Sequence, residues 1–416
     1  MVLNILQNNI TINKIINYLL ILLAFVFPLS AKKITGILIL IIILWVIEGN
    51  WKNKFVVLRN STPFKYYFVF IIFMGLSLFW SDSIYGGFVK HYPENGIVEY
   101  FKMYFLGFML VPIMLTSMKQ EYVKPIISSF LAAMFMSELA SWAIYMEWIE
   151  IKGRLANNPS PFMHHSLYSI FLTVSIFVLV TEVFKVKSLY LKIVMILFML
   201  SSLVNLFLNG GRLGQLAFFI SLFIFTLMKF KITFKTIILS VLTVVIIFSL
   251  AYKVSPIFQF RADNAVHSIE KMFQGDFRSS WGSRVYAMIV AKDIVLENPI
   301  IGTGIGDAKK EFMERSKKYP QGEVVIGYWH MHNQYMQILL ETGIVGLFLF
   351  FLFLFYLLKI SLDKEMYILL CTFLAIYMVG FISEPLFWNR QPFMLFNFFI
   401  AIFLFFSMYD KDTKGI

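Results

Sequence analysis

Long apolar runs separated by short polar segments follow one another along nearly the whole chain. A run of about 20 apolar residues is long enough to cross the hydrocarbon core of a bilayer as a helix. The pattern therefore predicts an all-α polytopic membrane protein with about twelve transmembrane helices. The predicted spans are 14–30, 34–48, 64–80, 98–117, 122–147, 165–184, 190–208, 213–229, 234–252, 334–358, 365–383 and 391–408.

The composition agrees with this pattern. The chain of 416 residues is 59% hydrophobic and 14% charged, whereas a soluble chain carries about 25% charged residues. The first apolar run, Ile15 to Ser30, lacks a small-residue cleavage site, so it is interpreted as a signal anchor. The single cysteine, Cys371, lies within an apolar run, which excludes an intramolecular disulfide.

The positions of Lys and Arg predict which side of the membrane each polar segment faces. If the N-terminus is cytoplasmic, the short cytoplasmic segments carry seventeen basic residues and the short external segments carry seven. The net charge of +12 is therefore a topology signal and does not indicate a nucleic-acid partner. Both termini are expected in the cytoplasm, and the long segment 253–333 is expected outside.

The chain is predicted to have three parts. Residues 1–252 form spans one to nine, 253–333 form one large external loop, and 334–416 form spans ten to twelve with a short cytoplasmic tail. The loop is nearly neutral, with eleven basic and nine acidic residues. Its apolar spacing predicts a helix over Ser283 to Glu297, and the charged stretch 307–319 predicts a second helix after the Pro- and Gly-rich "NPIIGTGIG".

Polar side chains mark the start of span ten, where "HMHNQ" precedes a long apolar run. An imidazole at the boundary of water and lipid can act as a general base near neutral pH. Asn333 and Gln334 can add hydrogen bonds that orient a polyhydroxylated ligand. The alternative is that His330 and His332 are interfacial polar residues without chemistry.

Two arginines lie near the starts of predicted helices on the external side. Arg212 follows two glycines in "NGGR" and opens span eight, where the free N–H groups of a helix start and a guanidinium together suit an anion. The alternative for Arg212 is a side chain that merely extends to water at the interface. Arg284 lies near the start of the predicted loop helix, where an arginine is common without any function. It is a candidate anion-binding residue only as a partner of Arg212.

Further external residues are weaker candidates. Arg154 and His165 precede or open span six, and Glu384 and Arg390 flank the last external turn, so all four are candidates to line the same cavity. His164 and His165 are adjacent, but no third ligand has suitable spacing, and no metal site is predicted. The chain has no P-loop lysine, so no nucleotide cofactor is predicted and ATP is not the expected energy source.

These motifs resemble those of the O-antigen ligases, within the broader O-antigen ligase and polymerase superfamily. The resemblance covers the twelve spans, the cytoplasmic termini and the one large external loop between spans nine and ten. Its short motifs are "GGR" before span eight, an "R…A…I…NP…G.G" stretch in the loop, and a histidine and amide followed by glycines at span ten. The matching residues are Arg212, Arg284, Ala291, Ile294, Asn298, Pro299, Gly302, Gly304, His332, Asn333, Gly343 and Gly346.

The resemblance implies a glycosyltransferase of the bacterial inner membrane whose active site faces the periplasm. It would move a preassembled glycan from undecaprenyl diphosphate to a sugar hydroxyl of the lipid A-core, in lipopolysaccharide biosynthesis. Fixed arginines can neutralise a diphosphate without a metal, so Arg212 and Arg284 would hold it, and His332 would deprotonate the acceptor. Attack opposite the leaving group would invert the anomeric centre. The residues expected to contact substrate are Asn333, Gln334, Arg154, His165 and Arg390.

The partners implied by the resemblance are the lipid-linked glycan donor, the lipid A-core acceptor and membrane lipids.

Three alternatives to an O-antigen ligase stay open. Wzy-type polymerases commonly carry two large external loops with an R-x10-G pattern, but no glycine stands eleven positions after Arg212, Arg278 or Arg284. Protein O-oligosaccharyltransferases usually carry a longer C-terminal region. A transporter or flippase would place charges at mid-membrane, whereas the notable cations here lie at external ends of spans.

Overall fold

A computed structural model of the chain describes residues 2–82, 88–89, 92–93, 96–328 and 330–413. This part of the chain is almost entirely helical, which confirms the predicted all-α polytopic membrane fold. The helices are α1 (Val2–Val26), α2 (Ala31–Glu48), α3 (Trp51–Asn60), α4 (Thr62–Leu76), α5 (Gly96–Glu99), α6 (Leu106–Phe108), α7 (Leu110–Ser117), α8 (Gln120–Tyr145), α9 (His165–Val183), α10 (Leu189–Leu208), α11 (Arg212–Lys229), α12 (Phe234–Val254), α13 (Pro256–Phe273), α14 (Ser280–Glu297), α15 (Ala308–Ser316), α16 (Gln334–Leu357), α17 (Lys364–Ser383) and α18 (Arg390–Thr413).

Shorter elements connect some of these helices. A π-helix, Tyr100–Phe105, joins α5 to α6, and 3-10 turns cover Ser77–Trp80, Gly322–Val324 and Leu386–Trp388. The two-residue strands β1 (Phe88–Val89) and β2 (Tyr92–Pro93) pair antiparallel, with Phe88 opposite Pro93 and Val89 opposite Tyr92.

Ten helical segments in the described residues are long and apolar enough to cross a membrane, and they coincide with the third to twelfth predicted spans. The first two spans differ from the prediction. Helix α1 ends at Val26 and does not continue to residue 30, because Pro28 disfavours helix in the residue before it and cannot itself extend one. Helix α2 meets α3 at a bend of 113°, because Gly49 and Asn50 have positive φ angles, which a right-handed helix does not allow.

Burial separates central from peripheral spans. In α9 and in the membrane-crossing part of α18, 83% of the apolar stretch is buried within the protein, compared with 11% in α12. The centre is packed by aromatic rings, for example Phe373 of α17 against Phe396 and Phe399 of α18. Because α12 is apolar on nearly all sides and exposed, it presents its surface to lipid.

The segment 253–333 folds into α13, α14 and α15, so both predicted loop helices are confirmed. The sequence pattern did not predict α13, which follows α12 after a single break at Ser255. The loop has its own small core, and Leu340 of α16 belongs to it, which makes the loop core continuous with span ten. The buried members are Tyr286, Ala287, Val290, Ala291, Ile294, Ala308, Phe312, Val325, Met331 and Leu340.

Backbone hydrogen bonds fix the loop to α16. Thr303 and Gly304 of the loop donate their N–H groups to carbonyls of α16, at 2.9 and 3.0 Å. In return, Ile344 and Val345 of α16 donate to loop carbonyls, at 2.9 and 3.2 Å. The pairing is possible because Gly343 has φ 61° and ψ −162°, which interrupts α16 and frees these backbone groups.

We expect Gly343→Ala to destabilise the protein strongly. This backbone conformation is open almost only to glycine, and holding another residue in it costs about 1–3 kcal/mol. An ideal Cβ at position 343 would also lie 2.3 Å from the carbonyl oxygen of Ile300. The measurement is the thermal unfolding midpoint of the purified protein in detergent.

The matched control is Gly36→Ala in α2, because nothing lies within 4 Å of an added Cβ there. Alanine in a helix is favoured over glycine by about 1 kcal/mol, so this variant is expected to be neutral or slightly stabilised. Equal midpoints for the two variants would contradict the requirement for glycine at position 343.

Candidate active site

A cavity of about 530 Å³ lies where the loop helices α13 and α14 meet the starts of α9 and α11 and the end of α17. Its wall is mainly apolar with a small set of polar groups, which is typical of a ligand-binding cavity. The charged and histidine residues on the wall are His164, His165, Arg212, Arg261, Arg284 and Glu384. The structure thus brings Arg212 and Arg284, which are 72 positions apart in the chain, to one cavity.

A tight turn sets the position of Arg212, which is the first residue of α11 as the sequence predicts. Ideal Cβ atoms at Gly211 and Gly214 would lie 2.4 and 2.3 Å from atoms of Ser169 in α9. Only glycine therefore allows α11 to approach α9 this closely. From this turn, Nη2 of Arg212 reaches the loop and donates to Oγ of Ser280 at 3.0 Å.

The three arginines of the cavity share one property. Within the described residues, none of Arg212, Arg261 and Arg284 forms an ion pair with a carboxylate. The Nε group of Arg261 is buried without a hydrogen-bond partner. The charges of Arg261 and Arg284 both act on Arg212. Three unpaired cations around one cavity make a favourable site for an anion with more than one negative charge.

His332 lies beside the cavity in a strained backbone conformation. Its φ angle is 48°, in the left-handed region that few residues other than glycine adopt. Its Nδ1 is 3.1 Å from Oε2 of Glu384, and its ring packs edge-on against those of Tyr328 and His330, with centroids 4.5 and 4.3 Å away. When the Nδ1–H group donates a hydrogen bond to the carboxylate, Nε2 carries the free lone pair and can accept a proton.

The carboxylate of Glu384 is charged near neutral pH. Burial alone would raise the pKa of Glu384, but the hydrogen bond with His332 and the electrostatic effects of His330, His332 and Arg284 together lower it. Burial lowers the pKa of His330 to about 4, against the opposing charge of Glu384. His330 is therefore neutral near pH 7, with its Nε2 3.7 Å from Oε1 of Glu384.

Buried polar side chains hold the residue that precedes the strained histidine. Gln337 accepts a hydrogen bond from the backbone N–H of Met331 at 3.0 Å and donates to Glu341 at 2.6 Å. Glu341 is fully buried and also accepts from Tyr104 and from Trp388, each at 3.0 Å. Because a buried carboxylate is costly unless its oxygens are satisfied, this network favours one arrangement of the segment.

Two predicted substrate contacts are used within the protein. Asn333 caps α16, since its Oδ1 accepts from the N–H of Met336 at 2.9 Å, and its Nδ2 donates to the carbonyl of Ile382 at 3.0 Å. Gln334 is fully buried and accepts from the N–H of Phe387 at 2.9 Å. These amides join the start of α16 to the end of α17 and to the 3-10 turn that follows it. The sequence alone does not distinguish such amides from ligand-binding ones.

The other three predicted contacts lie at different distances from the cavity. His165 lines it as the first residue of α9. Arg154 does not line the cavity. Its charge does act on His164, which lines the cavity wall. Arg390 lies elsewhere, because its Nη1 donates to Oγ1 of Thr35 at 3.1 Å and it lines a separate small crevice against α2.

Three potential metal ligands converge, although the sequence predicted no metal site. The ligand atoms of His330, His332 and Glu384 all lie within 4.8 Å of one another. Two imidazoles and one carboxylate form a donor set that suits Zn²⁺. Sequence spacing did not reveal the set because Glu384 stands 52 positions after His332. Metal independence therefore stays a prediction.

Sequence reasoning missed Arg261, because the charges around it give no distinguishing local signal. None of Arg212, Arg261 and Arg284 has an Asp or Glu three or four positions away. That is the spacing at which an arginine on a helix finds an acidic partner. Arg59, Arg278 and Arg390 also lack such a partner, so this spacing does not distinguish Arg261 from arginines outside the cavity.

Residues 196–351 match a family model described as O-Antigen ligase. The matched stretch runs from within α10 to within α16, so it contains the three cavity arginines and His332 but not Glu384. A comparison with curated proteins finds no match.

Proposed function

We propose that this chain, whose residues 196–351 match the O-antigen ligase family model, is an O-antigen ligase. It acts as a metal-independent, inverting glycosyltransferase that moves a preassembled glycan from undecaprenyl diphosphate to a sugar hydroxyl of the lipid A-core. The observation that carries this proposal is the cavity in which Arg212 and Arg284 lie next to the pair of Glu384 and His332. Such a transfer needs fixed cations for the diphosphate and a base for the hydroxyl.

The reaction follows from these positions. Arg212 and Arg284 hold the diphosphate, and Nε2 of His332 takes the proton of the acceptor hydroxyl. The hydroxyl oxygen bonds to the anomeric carbon as the bond from that carbon to the phosphate oxygen breaks, and the electron pair remains on the diphosphate. Glu384 keeps the His332 ring oriented and stabilises the imidazolium that forms. Attack from the face opposite the diphosphate inverts the anomeric centre.

The apolar part of the cavity supports a lipid-linked donor. Leu216 and Phe219 of α11 and Phe248 of α12 line this part. Because α12 is the least buried of the candidate spans, the cavity is bordered by a helix that faces lipid. A polyprenyl chain can therefore stay in the bilayer while its diphosphate lies among the arginines.

We expect the loop to face the periplasm, because basic residues concentrate on the opposite side of the spans. Lys310 of α15 is exposed on the loop, and Lys187, between α9 and α10, is exposed at the opposite end of α9. In a Cys371→Ser background, a membrane-impermeant maleimide should label Lys310→Cys in intact spheroplasts. It should label Lys187→Cys only after permeabilisation, and the reverse pattern would overturn the proposed orientation.

The central experiment is glycan transfer in proteoliposomes supplied with a polyprenyl-diphosphate glycan and lipid A-core. His332→Ala should reduce transfer about 10²–10⁴-fold, the usual cost of losing a general base, with donor binding largely kept. Arg212→Ala and Arg284→Ala should weaken donor binding as well as turnover, because charge-assisted hydrogen bonds are lost. Lysine at either position should rescue poorly, since it lacks the planar fork of arginine.

The matched control is His330→Ala, which removes a neighbouring imidazole and should have a mild effect. Near-normal transfer by His332→Ala would exclude it as the base, and equal losses in both variants would assign both histidines to loop structure. The product separates the alternatives within the superfamily. Growth of the lipid-linked glycan would indicate a polymerase, and transfer to a protein hydroxyl would indicate an O-oligosaccharyltransferase. Movement of an unmodified donor across the membrane would indicate a flippase.

Transfer is expected to continue in EDTA, because arginines supply the positive charge that a metal ion would otherwise provide. The contrary result is full loss in EDTA with recovery on addition of Mg²⁺, Mn²⁺ or Zn²⁺. That result would assign His330, His332 and Glu384 as metal ligands. His330→Ala would then abolish the recovery, whereas it is mild if His332 acts as the base.

A further inference from the structure

Arg261 of α13 has no assigned purpose in the transfer described above, yet it lies on the wall of the same cavity. Its Nε is buried without a hydrogen-bond partner. Its guanidinium lies 6.0 Å from the ring centroid of Phe260, a distance at which a cation–π contact contributes little. Leaving a buried donor unsatisfied is unfavourable, so the side chain is oriented for a partner that the protein itself does not supply.

The turn that precedes α11 packs closely against the guanidinium of Arg261. An ideal Cβ at Gly210 would lie 3.2 Å from Nη2 and 3.3 Å from Nε of Arg261. The N–H of Gly210 is held by Oδ1 of Asn158 at 2.9 Å. Arg261 therefore packs over the peptide that leads directly into Arg212, and the two cations come from α13 and α11 to the same end of the cavity.

The charge of the diphosphate changes during the proposed reaction. The donor is a diester of diphosphate, with one negative charge on each phosphate. When the bond to the anomeric carbon breaks, the electron pair stays on the phosphate oxygen, and the leaving diphosphate gains a further negative charge. The positive charges of two arginines balance the two negative charges of the donor diphosphate. A third arginine balances the additional negative charge of the leaving group. Groups that stabilise charge which appears only as the reaction proceeds accelerate it.

We propose that Arg261 is a third diphosphate-binding residue, which neutralises the charge that the leaving group gains during transfer. This inference rests on the proposed function, because it takes the diphosphate of the lipid-linked donor as the anion. It predicts that Arg261 distinguishes polyprenyl diphosphate from polyprenyl monophosphate. It also predicts a larger effect of Arg261 on turnover than on donor KM.

The probes for the binding test are farnesyl diphosphate, farnesyl monophosphate and uncharged farnesol, measured on the purified full chain by microscale thermophoresis. Arg261→Gln should weaken farnesyl diphosphate binding about 10–100-fold, the range expected for a lost charge-assisted interaction. Monophosphate binding should change less than about 3-fold, within ordinary surface effects. In the transfer assay, kcat should fall more than donor KM rises. The matched control is Arg278→Gln, since Arg278 is exposed in the same loop and pairs with Glu323 at 3.3 Å.

The outcomes separate this inference from the proposed function. If Arg212→Gln loses diphosphate binding and Arg261→Gln retains both binding and kcat, the inference is wrong and the proposed function stands. If the unmodified protein binds farnesyl diphosphate no better than farnesol, both are wrong. If Arg261→Gln lowers the thermal midpoint, it is replaced by Arg261→Met, which keeps an unbranched side chain and also removes the charge. A reduced preference for diphosphate in that stable variant supports the inference, and unchanged preference and kcat overturn it.

Discussion

The backbone pairing between the loop segment 299–304 and the interruption of α16 at Gly343 is the constraint on which the site depends. An interrupted helix in a membrane leaves N–H and carbonyl groups that need partners within the protein. The loop provides them, with hydrogen bonds of 2.9 to 3.2 Å. Because α14 ends just before this segment, the pairing carries Arg284 to the cavity. Because α16 starts at Gln334, the same pairing fixes the segment that holds His332.

Glu341 connects this junction to the membrane domain. Its backbone carbonyl accepts from Gly304 of the loop, while its buried side chain accepts from Tyr104, Gln337 and Trp388. A buried acidic group is costly to remove from water, and it is retained where its hydrogen bonds are satisfied. Here the satisfied network ties together the loop, α16, the π-helix and the turn after α17. Removing any one partner would disturb the others, so the network favours a single placement of the reactive groups.

The sequence predicted the parts of this structure that depend on local pattern. Ten spans follow from apolar length, and Arg212 was correctly placed at a helix start by the glycines before it. Contacts between distant segments carry no local pattern, so the pairing of His332 with Glu384 was not predicted. The predicted ligand contacts of Asn333 and Gln334 stay predictions, because a cap residue and a buried amide have the same chemistry as a binding amide. Arg261 was missed because α13 continues so closely from α12 that no separate helix was expected.

The positions of the charges explain how a reactive site can exist at the edge of a bilayer. Arginines that lacked partners deep in the membrane would be strongly unfavourable, but at the ends of α11 and in the loop they keep partial access to water. Their mutual repulsion still opposes the closed arrangement of α13, α14 and α11 around the cavity. A polyvalent anion offsets that repulsion, and the offset grows as the anion gains charge. In the proposed reaction, the energy that favours ligand binding and the energy that favours bond cleavage therefore arise from the same three unpaired cations. The proposed base, His332, is held by Glu384, which lines the same cavity.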